Sequence, residues 1–381
     1  MIVFMFHSIG LEKTDWVTNY LSIPLIHFEH WFKYLQSNNY KTHFLDVWYN
    51  NSEKSLIKND KELVITFDDG YLDNWAFLFP LLEKYQIKAT IFINPEFVDP
   101  GEKLRPNLKD YWLNNIGLNE LKPIGFLNWA EIQYMQNSGL VDIQSHSMSH
   151  NWYFSDNNLI DFYSSEQKNY YWLPWIEDIK KKPFYMNAQS GDTVIEGYPI
   201  FNFGRSLGIR RYFPNPDVIN YAMEIYANRQ NESKNNLIRM VNDYAFNNQK
   251  YGEPETDKQM IARYEYEIMD SKQIIEKKLS KKIDFLCWPG GAYNDLSVLI
   301  SEKAGYKAST IASKYKLTHL NDTGPYKRIP RFSLGTIINY KGKSVIDKNP
   351  QALANIYREF EGSLYKKLNR YAKKLYYIGF K

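Results

Sequence analysis

Two short polar clusters, Asp68-Asp69 and His146 with His150, have the residue types needed for metal-assisted hydrolysis. The two histidines are four residues apart, so one helical turn would place both imidazoles on the same side. Two imidazoles and one carboxylate make a three-ligand site for Zn²⁺ or a similar ion, with one coordination position open for water. The other carboxylate could take a proton from that water. Each cluster alone is weak evidence, because HxxxH pairs and Asp-Asp-Gly turns are common, but both follow predicted strands.

Strands and helices alternate in the two parts of the chain that contain these clusters. Short apolar runs predict buried strands, and apolar residues at helical spacing predict helices. The predicted strands are 1–7, 62–67, 89–93, 140–143 and 284–288, and the predicted helices are 28–38, 76–85, 129–138, 272–279 and 298–304. This alternation is typical of a parallel α/β sheet or barrel, in which catalytic residues cluster at the carboxyl ends of the strands.

Residues 151–262 break the alternation and are rich in Asn, Tyr and Trp, which predicts a long insertion with a helix at 235–244. We expect regular structure to resume at Asp270, as the N-cap of the helix 272–279. The chain has 31 Tyr, 22 Phe and 10 Trp. This content suits either a glycan-binding surface, because aromatic faces stack on sugar rings, or ordinary core packing. The predicted organisation is a barrel over 1–345, interrupted at about 151–262, and a C-terminal segment over 346–381.

The end of the chain, 364–381, is basic and contains no acidic residue. Its six cationic residues are Lys366, Lys367, Arg370, Lys373, Lys374 and Lys381. Apolar residues recur between them at helical spacing, which predicts a basic amphipathic helix. Such a helix either lies on an anionic membrane surface or packs on the domain with its charged face in water.

The bulk composition excludes several other classes of protein. A net charge of +4 over 381 residues gives no reason to expect nucleic-acid binding. The single cysteine, Cys287, excludes an intramolecular disulfide and fits a reducing compartment. The apolar stretch 2–6 is too short to cross a membrane, and the first residues lack a signal-peptide pattern. We therefore expect a cytoplasmic protein, with contact at the inner membrane face through 364–381.

Several segments together resemble the polysaccharide deacetylases, also called the NodB-homology family and similar to carbohydrate esterase family 4. The segments 66–70 (TFDDG) and 146–150 (HSMSH) resemble its first two motifs. Four further segments are similar. The segment 6–9 (FHSI) resembles the N-terminal strand and its histidine, and 129–132 (WAEI) resembles the approach to the histidine motif. The segment 288–294 (WPGGAYN) resembles the third motif, and 328–331 (RIPR) resembles the closing segment. They are most similar to the branch that includes poly-N-acetylglucosamine deacetylases. The resemblance covers roughly 1–150 and 263–340 and skips the insertion.

The resemblance implies a distorted (β/α) barrel of the NodB-homology type, with fewer than eight full repeats and a large insertion. It assigns Asp68 as the general base and Asp69, His146 and His150 as ligands of a divalent ion. Zn²⁺ is expected, with Ni²⁺ and Co²⁺ as alternatives. In the branch with the N-terminal strand histidine, that residue is the general acid, which makes His7 the candidate to protonate the leaving amine. The alternative for His7 is a buried, hydrogen-bonded structural role.

The region of the third motif carries the expected oxyanion site and one departure from the family. The candidate residues for substrate and oxyanion contact are Pro289, Gly290, Gly291 and Tyr293. A backbone N–H between Gly290 and Tyr293 is expected to hold the oxyanion. In much of the family this motif also carries an Arg that pairs with the catalytic Asp, but the segment 285–288 has none. Arg331 is the best substitute, because a guanidinium beside Asp68 would hold it ionised. An ordinary Arg at the core rim is the alternative, and Cys287 is interpreted as a small buried hydrophobe.

The sequence therefore predicts hydrolysis of an N-acetyl group on an amino sugar. The predicted substrate is a nucleotide sugar, or a lipid-linked precursor of cell-surface polysaccharide. Two alternatives stay open: a relative that binds glycan without hydrolysing it, and a deformylase or other amidohydrolase acting on a different modified sugar. An intact base and ligand set argues against the first, while the second differs only in the pocket.

Overall fold

The computed structural model describes residues 1–10, 19–51, 61–165, 168–177, 179–184, 194–229, 231–312, 326–340, 343–346 and 348–360. The basic segment 364–381 lies outside these residues, so its predicted helix stays a prediction. Among the residues described, no helix combines the length and the apolar character needed to cross a membrane.

The regular elements alternate over most of the chain, as the sequence predicts. The strands are β1 (Ile2–Phe6), β2 (Ser8–Ile9), β3 (Ser22–Ile23), β4 (Lys41–His43), β5 (Glu62–Phe67), β6 (Ala89–Ile93), β7 (Val141–Ser145), β8 (Trp152–Phe162), β9 (Pro199–Arg205), β10 (Tyr212–Phe213), β11 (Glu253–Pro254), β12 (Phe285–Leu286), β13 (Ala308–Ala312), β14 (Lys327–Ser333), β15 (Ile337–Tyr340) and β16 (Lys343–Ile346). The α-helices are α1 (Leu25–Ser37), α2 (Leu45–Asn51), α3 (Phe79–Tyr85), α4 (Leu108–Trp112), α5 (Trp129–Asn137), α6 (Leu173–Glu177), α7 (Pro216–Asn228), α8 (Lys234–Asn247), α9 (Asp257–Glu265), α10 (Ser271–Leu279), α11 (Asp295–Lys303) and α12 (Ala352–Phe360).

Seven parallel strands close into a barrel in the order β1-β14-β13-β12-β7-β6-β5, and β5 pairs back with β1. The closing pair runs from Ile2 opposite Leu63 to Phe6 opposite Phe67. β4 pairs with the first half of β5 and is not part of the ring. The prediction of a distorted (β/α) barrel with fewer than eight repeats is therefore confirmed.

The barrel strands are apolar on both sides because both sides are covered. All five residues of β6 are buried, as are all residues of β5 except its first. Alternate strand residues form two separate clusters, as the two-residue period of a strand requires. The smaller cluster fills the barrel, and its members include Val3, Val64, Phe92, Phe285 and Ile329. The larger cluster packs between the strands and the helices around them.

One predicted helix start is wrong. Asp270 is not an N-cap, because its backbone is helical and its side chain caps nothing. The helix begins earlier, at α9, where the Thr256 side chain accepts from the Gln259 N–H and the Gln259 side chain accepts from the Thr256 N–H. A π-helical turn, Tyr266–Asp270, then joins α9 to α10. The π-helical turn contains one extra residue, so the apolar positions of α9 and α10 are not in a single helical register. The sequence pattern therefore looks like two helices, although the helix is continuous.

The region predicted as an insertion contains an antiparallel hairpin of β8 and β9, in which Trp152 lies opposite Arg205. Helix α8 includes the predicted helix 235–244 and packs against α7. Their contact includes stacked rings of Tyr221 and Tyr244, with ring centroids 4.1 Å apart. The domain boundaries at 151–262 and 346 stay predictions.

Candidate active site

Alternate residues on the barrel strands change from apolar to polar towards the carboxyl ends. On β5, Val64 belongs to the apolar cluster inside the barrel, and Thr66 and Asp68 follow it at a spacing of two. On β14, Arg331 follows Ile329 at the same spacing. Residues at this spacing lie on one side of a strand. The alternation that builds the core of the barrel therefore also places these polar side chains at one end of it.

Asp68 and Arg331 form a buried, bidentate ion pair. Arg331 Nη1 donates to Asp68 Oδ1 at 2.6 Å, and Nη2 donates to Oδ2 at 2.8 Å. The exposed fractions of the two residues are 2% and 7%. Burial alone would raise the pKa of Asp68, but the Arg331 guanidinium outweighs it and holds the pKa below its usual value. Asp68 is therefore an ionised carboxylate in a shielded site.

Two neighbours fix the guanidinium of Arg331. Its Nη1 also donates to Thr66 Oγ1 at 3.1 Å, and Thr66 Oγ1 donates to the Phe4 carbonyl at 2.8 Å. Its Nη2 lies 3.0 Å from Cys287 Sγ, which is 3.5 Å from Asp68 Oδ2. Cys287 is buried, but it contacts the charged pair directly, so its interpretation as a small hydrophobe is incomplete.

The second aspartate and the two histidines converge beside this pair. Asp69 Oδ1 lies 3.1 Å from His146 Nε2 and 3.4 Å from His150 Nε2, and the three ligand atoms lie within 4.8 Å of one another. Asp69 Oδ1 is buried, and no residue in the described part of the chain is hydrogen-bonded to it. His146 Nδ1 lies 2.9 Å from the Cys287 carbonyl oxygen, which can only accept, so Nδ1 carries a proton and Nε2 is the nitrogen that faces Asp69. A carboxylate oxygen and an imidazole nitrogen that face each other in this way would both bind a cation, which would displace any proton on Nε2.

A second group of ligand atoms, from Asp68, His146 and Cys287, also lies within 4.8 Å. The Arg331 guanidinium is hydrogen-bonded to both Asp68 oxygens and to Cys287 Sγ, so the ligand atoms of two of these three residues are already engaged. The set of Asp69, His146 and His150 is therefore the better candidate for a metal site.

The pKa values of the two histidines differ because their neighbours differ. Burial opposes the charged form of His146, but Cys287 and Asp69 outweigh it and raise its pKa well above the usual value. Burial and the nearby Arg205 guanidinium lower the pKa of His150 well below the usual value. A neutral imidazole is the form that binds a metal ion, so Arg205 favours the ligand form of His150.

The backbone of the site is held in an uncommon conformation. Asp69, Ser147 and His150 have φ values of 73°, 63° and 52°. Such positive values are rare for residues with a side chain and mark functional sites when surrounding contacts maintain them. They also mean that 146–150 is a turn, so the two histidines meet through a loop and not through the helical turn that their spacing suggests.

Glu267, in the π-helical turn, maintains this loop. Its Oε2 accepts from the N–H groups of Met148 and Ser149 at 3.2 and 3.0 Å. Its Oε1 accepts from the hydroxyl groups of Ser149 and, at 3.1 Å, Ser206. The buried Lys182 supports the same loop by donating to the Ser149 carbonyl at 3.0 Å. Sequence reasoning missed both residues, because one lies in a charged helix and the other in the insertion.

We expect Glu267→Gln to lower the free energy of unfolding by about 1–3 kcal/mol, because the amide NH₂ would face buried donors. The loop that carries His150 should also become less ordered, so the variant should bind the metal ion more weakly as well as unfold more easily. Glu265→Gln, an exposed residue of the same helix, is the matched control. The measurement is denaturant unfolding of both variants together with metal titration. Equal stability of the two variants would contradict this role of Glu267.

His7 also lies close to Asp68. Its Nε2 is 3.9 Å from Asp68 Oδ2, and its side chain is 23% exposed. Its backbone carbonyl accepts from Asn74 Nδ2 at 3.1 Å, and Asn74 Nδ2 also donates to Asp73 at 2.7 Å. Asp73 accepts from the Ser8 hydroxyl as well, and burial raises the pKa of Asp73 to about 7. The His7 imidazole therefore faces the cavity, while the His7 backbone is hydrogen-bonded to Asn74.

One cavity of about 580 Å³ contains the charged and titratable groups of the site, which include His7, Asp68, Asp69, His146, His150 and Arg331. Aromatic side chains form much of its wall: Tyr20, Tyr71, Phe97, Phe126, Tyr171, Trp175 and Trp288. Gly290 and Gly291, with φ of 58° and 72°, also line it. The Gly291 N–H donates to the Trp288 carbonyl at 2.9 Å, so of the two glycines that line the cavity Gly290 is the candidate oxyanion donor.

Two of the four residues predicted for the oxyanion turn are not among the residues that line the cavity. Pro289 is buried. The Tyr293 ring packs on Trp288, with ring centroids 5.7 Å apart. The guanidinium carbon of Arg328 lies 4.2 Å from the centre of the same Tyr293 ring. In the part of the chain that the structure describes, neither Pro289 nor the Tyr293 side chain lines the cavity. The cavity instead receives Arg205 from the insertion, a residue that no sequence motif indicated.

Comparison with known proteins agrees with this geometry. Residues 56–181, which include Asp68, Asp69, His146 and His150, match the family model described as polysaccharide deacetylase. The Bacillus subtilis (strain 168) protein YxkH, whose name classes it provisionally as a polysaccharide deacetylase, is 37% identical over 97 residues. This match covers 24% of the chain and only 30% of the relative's length.

A solved structure of the de-N-acetylase from Aggregatibacter actinomycetemcomitans is similar over almost its whole length. It is 15% identical, with a TM-score of 0.52, and the match covers 90% of this chain and 97% of the other. At this identity the similarity concerns the fold, and the particular similarity to the branch with the N-terminal strand histidine stays a prediction. Residues 56–181 therefore match the polysaccharide deacetylase family model, and the chain folds as a (β/α) barrel of the NodB type.

Proposed function

We propose that this protein is a metal-dependent hydrolase that removes an N-acetyl group from an amino sugar. The observation that carries the proposal is the convergence of the Asp68–Arg331 pair with Asp69, His146 and His150 in one cavity. A glycan-binding relative without activity would not need a buried, ionised carboxylate beside a metal-ligand set. The de-N-acetylase with the similar fold supports the same chemistry.

Asp68 is the proposed general base. Its carboxylate is ionised because Arg331 compensates for its burial, so it can accept a proton from an attacking water. The bidentate contact also fixes its orientation, which limits the reorganisation needed for proton transfer.

The other groups of the site complete the reaction. A divalent ion held by Asp69, His146 and His150 would polarise the acyl carbonyl and lower the pKa of a bound water. We propose Zn²⁺, with Ni²⁺ and Co²⁺ as alternatives. The Gly290 N–H is the proposed donor to the oxyanion, and His7 is the proposed acid that protonates the nitrogen as the C–N bond breaks.

The substrate is proposed to be a nucleotide sugar or a lipid-linked glycan precursor in the cytoplasm. The aromatic wall of the cavity supports a sugar ring, because aromatic faces stack on its C–H groups. The basic segment 364–381 supports a substrate at an anionic membrane surface. Pelleting with anionic vesicles tests this last point, and equal pelleting by a chain that ends at residue 363 would contradict it.

The decisive experiment measures bound metal by elemental analysis together with acetate release from N-acetylated nucleotide sugars and lipid-linked sugars. We expect about one equivalent of metal and acetate release that stops on chelation and returns with Zn²⁺. Formate release from N-formyl sugars alone would replace the proposal with a deformylase. Protein that holds no metal after incubation with Zn²⁺, Ni²⁺ and Co²⁺ would contradict it and favour glycan binding.

Removal of the Arg331 charge should change the pH dependence of the reaction. In Arg331→Gln, burial of Asp68 is no longer compensated, so we expect the pKa of Asp68 to rise. Because the base is active only above its pKa, the acidic limb of the kcat/KM profile should move to higher pH. Arg331→Lys should shift it less, and the exposed Arg239→Gln not at all. An unchanged acidic limb in Arg331→Gln would show that this pair does not set the pKa of the base.

A further inference from the structure

Arg205, the last residue of β9, extends from the insertion into the active-site cavity. Its guanidinium carbon lies 3.9 Å from the centre of the Trp152 ring. Its Nη1 lies 2.9 Å from His150 Nδ1 and 3.4 Å from His150 Nε2. Because one atom is close to both ring nitrogens, the guanidinium lies against the imidazole and not on the lone-pair axis of either nitrogen. Arg205 is thus held by two rings, and neither ring neutralises its charge.

The guanidinium also lacks a carboxylate partner. Three other shielded arginines, Arg105, Arg263 and Arg331, each form an ion pair with Asp or Glu, whereas the half-buried Arg211 packs on aromatic rings as Arg205 does. Within the described ranges, no carboxylate oxygen lies within 4.0 Å of the Arg205 guanidinium. A guanidinium in a shielded site without an anion is unfavourable, because it loses hydration without gaining a counter-charge. The arrangement therefore favours an anion that arrives with a ligand.

The third-motif turn is shaped to accommodate this side chain. A Cβ atom on Gly290 would lie 2.6 Å from Arg205 Nε, so a larger residue would displace the guanidinium. Gly290 has a φ of 58°, which also favours glycine. The barrel turn and the insertion thus fit together at the guanidinium, next to the predicted oxyanion donor.

The surroundings of Arg205 favour an anion further. Tyr171 lines the same cavity, and burial together with Tyr20 raises its pKa to about 12, so its hydroxyl stays a hydrogen donor at neutral pH. Asp69 is the carboxylate whose charge offsets part of the positive charge of Arg205. If a divalent ion binds Asp69 as proposed above, that carboxylate no longer compensates for Arg205. The cavity then has a net positive charge on the side of Arg205.

We propose that Arg205 binds an anionic group, a phosphate or a carboxylate, carried by the amino sugar next to the reacting N-acyl group. This inference rests on the proposed function and narrows its substrate class to acidic or phosphorylated N-acyl sugars. A planar guanidinium suits both groups, because it can donate two parallel hydrogen bonds to either. The hairpin β8–β9 would then select the substrate, while the barrel carries out the reaction.

The test compares acetate release from N-acetylglucosamine 1-phosphate, N-acetylmuramic acid and the neutral methyl glycoside of N-acetylglucosamine. We expect wild type to prefer at least one anionic compound, and the compound that is preferred identifies phosphate or carboxylate as the group. In Arg205→Gln the ratio of kcat/KM for anionic over neutral substrate should fall about 10- to 100-fold. Arg205→Lys should restore part of the ratio, and Arg210→Gln, an exposed arginine of the same insertion, should leave it unchanged.

Calorimetric binding to the inactive Asp68→Asn protein, with and without Arg205→Gln, separates recognition from catalysis. Tighter binding of an anionic compound that requires Arg205 would support the proposal even if no acetate were released, in which case only the proposed function fails. An equal loss of kcat for anionic and neutral substrates in Arg205→Gln would instead indicate an oxyanion-binding or structural role. Equal affinity for all three compounds would also overturn the proposal.

Discussion

Asp68→Asn should lower kcat for acetate release by about 10²- to 10⁴-fold while the bound metal is retained. The amide cannot accept the proton of the attacking water, but Asp69, His146 and His150 remain in place as ligands. Asn would also leave the Arg331 guanidinium buried without its counter-charge, so the variant should be less stable as well.

The measurement is single-turnover acetate release with metal analysis of the same sample, after circular dichroism has shown that the variant is folded. Asp284→Asn is the matched control, because Asp284 pairs with the half-exposed Lys307 outside the cavity. If Asp68→Asn kept more than a tenth of the wild-type kcat, Asp68 would not be the base.

His146→Ala should lose both the metal and the activity. His146 is the most buried of the three ligands, and its Cys287 contact orients Nε2 towards Asp69. Substitutions of residues that only orient a ligand cost about 10- to 100-fold in metal affinity, and loss of a ligand should cost more. The measurement is competition with a chelator of known affinity, followed by elemental analysis.

His30→Ala, on α1 and outside the cavity, is the control for loss of an imidazole. His146→Ala protein that holds a full equivalent of metal at wild-type affinity would remove His146 from the ligand set. The group of Asp68, His146 and Cys287 would be excluded by the same result.

Local sequence was sufficient for five of the seven barrel strands and for the two motifs, but it did not predict β13 and β14. The prediction of β5 and β6 as 62–67 and 89–93 agrees with the structure at both ends of each strand. Both are continuous apolar runs because a strand inside a (β/α) barrel is covered on both sides. The order of strand and helix then fixes the parallel direction, so the carboxyl ends meet at one end of the barrel.

The position of Arg331 shows the limit of this reasoning. Its segment suggested it as a substitute for the missing arginine of the third motif. Only the pairing of β1 with both β5 and β14 brings it within hydrogen-bond distance of Asp68, which lies 263 residues away in the chain. No local pattern encodes that contact.

The sequence by itself determined the class of fold, five of the seven barrel strands and the two clusters that could hold a metal ion and a base. The tertiary structure decided what surrounds them: Glu267 beneath the histidine loop, Arg205 against His150, and Tyr293 packed away from the cavity. The physical reason is that periodicity and turn chemistry act between near neighbours in the chain. Burial, charge compensation and close approach depend on residues that only folding brings together.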